Sequence, residues 1–190
     1  MVAIVGFASQ KAFANIIGGI FILIFKPFKI NDVIEISNTK KGMVEEITLK
    51  HTVIRDFENR RVIIPNALLN DEVIVNSNIT DEKIRKHIEF GIAYDADIEL
   101  ATEIISSNIA SHPLCIDNRT EEEKENEIPK VVVRLVSLAE SSVILKAFAW
   151  SNNFDDAFVL SCDVLKSVKI EFDKQGIEIP FPYIISNSAI

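Results

Sequence analysis

An α+β fold in three parts is predicted from three observations. The first 28 residues are too apolar for a loop, short alternating segments follow Asp32, and a β-α-β-β-α-β order of periodicities begins near His87. The parts are an N-terminal helix over residues 1–28, a five-stranded barrel-like β domain over 29–86, and a ferredoxin-like α/β domain with a C-terminal strand over 87–183. A tail, 184–190, follows. With 190 residues, 48% of them hydrophobic and 25% charged, the chain has enough apolar material to build genuine cores.

In the N-terminal part, MVAIVGFASQKAFANIIGGIFILIFKPF, Ile16 to Phe25 is ten residues without a polar side chain. A helix needs about 20 such residues to span a hydrocarbon core. Ser9, Gln10 and Lys11 interrupt the apolar run before it, and a lysine at mid-membrane costs roughly 2.5–3.5 kcal/mol. A signal peptide fits poorly, because the basic residues Lys26 and Lys29 follow the apolar run rather than precede it. Two readings stay open: a buried core helix of a soluble protein, or two half-helices that meet water, lipid and protein differently. Gly6, Ala8, Ala12 and Ala14 allow close backbone approach, as small residues do in membrane helix packing, and Gly18 and Gly19 offer a weak point for a bend. On the second reading Lys26, Pro27, Phe28 and Lys29 lie at the membrane interface, where cations favour anionic headgroups.

In the middle part DVIEIS, MVEEIT, HTVIRDF, RVIIP and EVIVNSN alternate as half-buried strands do, with turn residues at Asn38 to Gly42 and at Glu58-Asn59. Pro65-Asn66 reads as a strand end followed by a turn. In the third part HIEFGIAY is a strand, and Ala96 to Ser111 is a helix behind Asp95 as N-cap, with Ile98, Ala101, Ile105 and Ile109 at helical spacing. VVVRLVSL and SVILKAFAW form a hairpin through Ala139 to Ser141. A second helix runs from Asp155 to Lys174 with Phe158, Val164, Leu165, Val168 and Phe172 on one face, and IEIPF closes the ferredoxin-like order as a strand. The insert DNRTEEEKENE, residues 117–127, is rich in glutamate, lacks apolar anchors and is expected to be a mobile loop.

Several functions are excluded by composition. A net charge of −8 opposes nucleic-acid binding, which needs clustered Lys and Arg to neutralise phosphates. Cys115 and Cys162 stand far apart without a CxxC, and His51, His87 and His112 lack metal-ligand spacing, so neither disulfide nor metal is expected. Asp95 and Asp97 suit a helix N-terminus. No nucleophile, paired base or phosphate loop accompanies them, so neither catalysis nor a cofactor is expected.

The string VGFASQKAFANIIGGIFILIFKPFKINDVIEI resembles the signature region of the small-conductance mechanosensitive channel (MscS) family: a small-residue pore helix, a Q-x-x-x-x-N core, an apolar run, then K-P-F and a strand opening on Asp. VIIPNALL, FGIAYDADIE and GIEIPFP resemble three further family motifs, in the family's order. The resemblance implies a membrane-channel fragment: the last part of a pore-lining transmembrane helix with a kinked interfacial half, an Sm-like β domain, and a vestibular cage. It implies a homoheptamer in the inner or plasma membrane, cytoplasmic from about residue 29. Membrane lipids and permeating small ions are then its other partners, and it passes ions and osmolytes when tension rises on hypo-osmotic shock. Aligned on Gln10 and Asn15, Phe7 and Ala3 fall on the two rings that close the pore; Ala3 departs from the family's leucine. Lys11 stands where a kink-forming glycine is expected, which moves the expected bend to Gly18 and Gly19. Family members carry at least two transmembrane helices ahead of the pore helix, so the chain is expected to start partway through one. The alternative is a soluble oligomeric scaffold or ligand-binding regulatory module whose first 28 residues are an oligomerisation helix.

Overall fold

A computed structural model describes residues 2–38 and 40–181, with side chains from Gln10 onward. The chain divides into two compact units, residues 1–82 and 83–190.

In the first unit α1 (Val2–Phe25) precedes a sheet of β1 (Val33–Ile36), β2 (Lys40–Ile47), β3 (His51–Arg55), β4 (Arg61–Pro65) and β5 (Ile74–Asn76). The strands lie in the order β4-β3-β2-β1-β5, and every neighbouring pair is antiparallel. β2 and β3 slip register between Val44 and Glu46, a bulge of the kind that bends a strand and strengthens its twist. Ser37, Asn38 and Asn59 take left-handed φ at the tight turns, where Asn is the non-glycine residue least penalised. α1 ends at Lys26, also left-handed, whose N–H reaches the Ile22 carbonyl; Pro27 then has no N–H with which to continue.

Between β4 and β5 the expected turn at Pro65-Asn66 is instead a short helix, α2 (Asn66–Asp71). Pro65 supplies a fixed φ just ahead of the first turn, and Leu69 turns into the core. That core gathers Ile22, Phe28, Ile34, Ile36, Val44, Ile54, Ile64 and Leu69.

In the second unit β6 (Ile84–Ile92), β7 (Val132–Leu138) and β8 (Val143–Ser151) form an antiparallel sheet in the order β6-β8-β7, with α3 (Ile98–Ala110) and α5 (Phe154–Gln175) packed on it. Alternation along β8 buries Val143, Leu145, Ala147 and Ala149 beneath Ile105, Leu160, Val164 and Phe172. α3 starts two residues later than expected. The carboxylate of Asp97, not Asp95, accepts the Leu100 N–H. α5 closes at Gly176, whose φ of 74° places it in the left-handed region that glycine enters without penalty. Phe158 and Leu165, assigned from periodicity to the buried face of α5, are exposed; the buried stripe is Ala157, Leu160, Ser161, Val164, Val168 and Phe172. IEIPF forms no strand within the described residues. Ile177 is buried and the Glu178 carbonyl accepts from Ala93 at the end of β6, but Pro180 has no N–H to extend a ladder.

The acidic insert is ordered rather than loose. Thr120 opens a helix, α4 (Glu121–Glu125), with a reciprocal capping box: its hydroxyl accepts the Glu123 N–H at 3.2 Å and the Glu123 carboxylate accepts the Thr120 N–H at 2.8 Å. Arg119 pairs with Asp117 through Nε and Nη2 and donates to the Ile128 carbonyl, closing the loop at its base. The side-chain hydrogen bonds from Arg119 hold the Asp117 carboxyl far below the usual carboxylate range. Replacing Thr120 by Ala should cost about 1 kcal/mol locally and raise hydrogen exchange at the Glu123 amide about fivefold. Unchanged protection there would show that the cap does not order the insert.

Candidate functional site

The residues most constrained by position lie where the second half of α1 meets α2 and the start of β3. α2 begins on Pro65 without a side-chain cap, which leaves its first N–H groups in need of acceptors. Asn15 of α1 supplies one: its Oδ1 accepts the Ala67 N–H at 3.0 Å, while its Nδ2 donates to the Lys11 carbonyl at 2.8 Å. A polar side chain in an apolar helix thus caps a neighbouring helix.

One turn further on, Gly18 and Gly19 are buried against the same element. A Cβ on Gly18 would lie 2.6 Å from Asn70 Nδ2 and 3.0 Å from the Asn66 backbone. On Gly19 it would lie 2.4 Å from the Leu49 carbonyl oxygen and 2.6 Å from Asn66 Nδ2. The helix runs without interruption through both residues, and their lack of side chains lets α1 approach the β unit closely.

Asn66 anchors the other side of this contact. It is fully buried, accepts the Thr52 hydroxyl at 3.0 Å and donates to the Thr48 carbonyl at 2.8 Å. Its own N–H reaches the Lys50 carbonyl. No buried side-chain nitrogen or oxygen among the described residues lacks a partner, the condition under which a buried network stiffens a junction.

The opposite side of α1 is bare. Phe13, Ile17, Ile20, Phe21, Ile24 and Phe25 are exposed by 43–71%, and Phe21 stacks on Phe25 with ring centroids 5.6 Å apart. Such a stripe is larger than scattered surface apolar residues and marks an interaction face. No helix among the described residues is long and apolar enough to cross a membrane.

The expected site residues separate accordingly. Gly6 and Ala8 lie on the backbone of α1, as do Phe7 and Ala3 of the expected pore rings, but their side chains fall outside the described residues. Lys11 is exposed on an unbroken helix. Lys26, Pro27 and Lys29 are exposed, yet Phe28, expected at the membrane interface with them, is 1% exposed in the β core beside Ile22. Asp32 and Asn76 hold this segment. The Lys29 N–H donates to Asp32 Oδ2, and Asn76 Nδ2 donates to the Pro27 carbonyl and to Asp32 Oδ2. Asn15, Asn66 and Asn76 were not singled out in the sequence as functional, although a lone Asn inside an apolar helix and an Asn directly after a strand-ending Pro are visible there.

Residues 11–79 match the family profile described as mechanosensitive ion channel, beta-domain, and residues 87–179 match that described as mechanosensitive ion channel MscS, C-terminal. An uncharacterized MscS family protein of Archaeoglobus fulgidus is 36% identical over 183 residues, which cover 94% of this chain and 59% of that protein. The small-conductance mechanosensitive channel of Edwardsiella ictaluri is 28% identical over 178 residues, covering 94% and 58%. The crystal structure of Helicobacter pylori MscS in a closed state superimposes with a TM-score of 0.81 at 28% identity, over 99% of this chain and 69% of that one. The chain therefore spans somewhat more than half the length of the curated relatives it matches.

Proposed function

Because the chain belongs to the MscS family of mechanosensitive ion channels, we propose that it is the lower pore helix and cytoplasmic body of a tension-gated channel that passes small ions and osmolytes on hypo-osmotic shock. The observation that carries this reading is α1 itself: one side is bolted to the β unit through Asn15, Gly18 and Gly19, and the other presents a continuous apolar stripe. A helix built this way takes a displacement on its apolar side and delivers it to the sheet through the Asn15–Ala67 hydrogen bond.

In the assembled protein seven copies form the ring. Phe7 closes the pore by dewetting, since a narrow apolar constriction leaves water with too few hydrogen-bond partners, and Ala3 forms the second, smaller ring. Lys26 and Lys29, flanking Pro27, meet anionic headgroups. Phe28 has no part in that interface, because its ring fills the β core. The cage below holds the second unit of each copy and sits in the cytoplasm of the inner or plasma membrane.

The test is to exchange the chain for the matching region of the Edwardsiella ictaluri channel and record from membrane patches under graded suction. Currents that open above a tension threshold support the proposal; a chimera that assembles in the membrane but stays silent up to patch rupture overturns it. Asn15→Ala in the same chimera should shift the opening threshold, because it removes the acceptor for the Ala67 N–H and loosens the junction by about 1 kcal/mol. An unchanged threshold would remove that hydrogen bond from the gating path.

A second reading, a soluble oligomeric scaffold or ligand-binding regulatory module with α1 as its oligomerisation helix, draws on the exposed apolar stripe of α1, which neighbouring copies would cover. It predicts self-assembly without detergent.

A further inference from the structure

The face of the second sheet turned away from α3 and α5 carries a group of side chains that the channel reading does not use. Register places Arg85 of β6 opposite Trp150 of β8, and His87 opposite Phe148. The Arg85 guanidinium lies 4.9 Å from the Phe148 ring centroid and 5.9 Å from that of Trp150. Both contacts are at cation–π distance, and neither uses an N–H donor of the guanidinium on a hydrogen-bond acceptor. No carboxylate among the described residues pairs with Arg85.

Those donors border a cleft of about 40 Å³ lined also by Asn118, Arg119, Glu123 and Lys130. The Glu123 carboxylate takes the Thr120 N–H through Oε2, and Asn118 Oδ1 takes Lys83 Nζ at 3.1 Å, which leaves the Asn118 amide hydrogens without a partner among the described residues. Lys130 Nζ gives one hydrogen to the Ala110 carbonyl at 2.9 Å and reaches the Cys115 thiol, so it adds positive charge at the edge of the cleft rather than a free donor. Arg119 is spent on Asp117 and the Ile128 carbonyl, where it fixes the rim. What remains is the Arg85 guanidinium and the Asn118 amide without hydrogen-bond partners among the described residues, with the cations of Arg119 and Lys130 outnumbering the one Glu123 carboxylate in the lining, in a chain whose net charge is −8. Positive potential here is local, so it opposes the field of the whole protein instead of extending it.

We propose that this cleft binds a small oxyanion, a carboxylate or a phosphate group, through the Arg85 guanidinium held against Phe148 and Trp150. The size admits a single such group, and the in-plane fork of arginine matches two of its oxygens. The order imposed by the α4 capping box and the Asp117–Arg119 pair then has a use, since it holds the Arg119 and Glu123 rim over the cleft. Binding does not depend on conduction, so the proposal stands or falls separately from the channel reading.

The single tryptophan of the chain is Trp150, which makes its emission a reporter at the site itself. The experiment titrates sodium phosphate and, separately, sodium acetate into the full chain at constant ionic strength. A saturable change in Trp150 emission with either anion is expected, and the anion that saturates reads which group the cleft takes. Arg85→Gln should raise the half-saturation concentration at least about tenfold, as loss of a charge-assisted pair does. Lys169→Gln, an exposed α5 lysine paired with Asp173, should leave it unchanged. If Arg85→Gln loses the far-UV circular dichroism of the parent, Asn118→Ala, which removes the free amide donor, should raise the half-saturation concentration in its place. A linear response to both anions, or saturation unaltered in these cleft variants, overturns the proposal.

Discussion

Phe28→Ala is expected to destabilise the first unit by about 3–5 kcal/mol, the usual cost of emptying a large aromatic site in a packed core. The ring is 1% exposed and shares its cluster with Ile22 of α1, Ile34 of β1 and Ile54 of β3, so it joins the helix exit to the sheet. For a unit of this size the loss corresponds to a fall in Tm of more than about 12 °C. Calorimetry is the appropriate probe, since the chain's tryptophan and tyrosines, at 94, 150 and 183, all lie in the second unit. Were Phe28 instead a membrane-facing residue, as the surrounding K-P-F-K sequence implies, the variant would melt with the parent in detergent solution. A shift below about 1 °C would therefore return Phe28 to the interface.

Gly19→Leu is expected to separate α1 from the β unit. Helix propensity alone predicts a gain of about 1 kcal/mol on replacing a mid-helix glycine with a good helix former. Packing predicts the opposite sign. The first added atom would stand 2.4 Å from the Leu49 carbonyl oxygen, a backbone atom that can yield only by moving the chain between β2 and β3. Overfilling a tight site costs about 1–3 kcal/mol and occasionally more, so the packing term wins and the unit loses stability. Gly18→Ala is the milder companion, since its closest clash, at 2.6 Å, is with the end of the Asn70 side chain. Limited proteolysis after Phe25, together with the calorimetric Tm, reads the result. A Gly19→Leu chain that melts at or above the parent temperature would mean that α1 does not rest on Leu49.

These two residues also mark where the sequence ceases to be explicit. Alternation of apolar and polar residues made all five strands of the first sheet and the β7–β8 hairpin visible, because a half-buried strand must repeat every two residues. The period of 3.6 located α5 to within a residue or so at each end, but it could not separate the buried stripe from the flank that carries Phe158 and Leu165. Gly18 and Gly19 are visible in the sequence as a weak point for a bend, but a pair of glycines in a helix signals a close approach equally, and only the position of the Leu49 carbonyl reveals the approach.

Phe28 misled for a related reason: lysines on both sides of an aromatic residue look like a membrane border, whereas burial depends on the partners that Asp32 and Asn76 fix across the fold. The short α2 stayed hidden because its cap is supplied from Asn15, some fifty residues away in the chain. The acidic insert looked loose by composition, yet Thr120 and Glu123 spell a capping box that outweighs the glutamate count. The Asp97 cap was missed in favour of Asp95 because both carboxylates suit a helix start, and only the position of the Leu100 N–H selects one.

Membership of a self-assembling membrane channel, as proposed, fixes the particle mass the chain has in detergent. The chain, expressed and extracted with mild detergent, should partition with membranes and run in light scattering as a ring of seven copies, with the apolar stripe of α1 covered by detergent or by neighbouring copies. A stable monomer that stays in the aqueous fraction without detergent would contradict it.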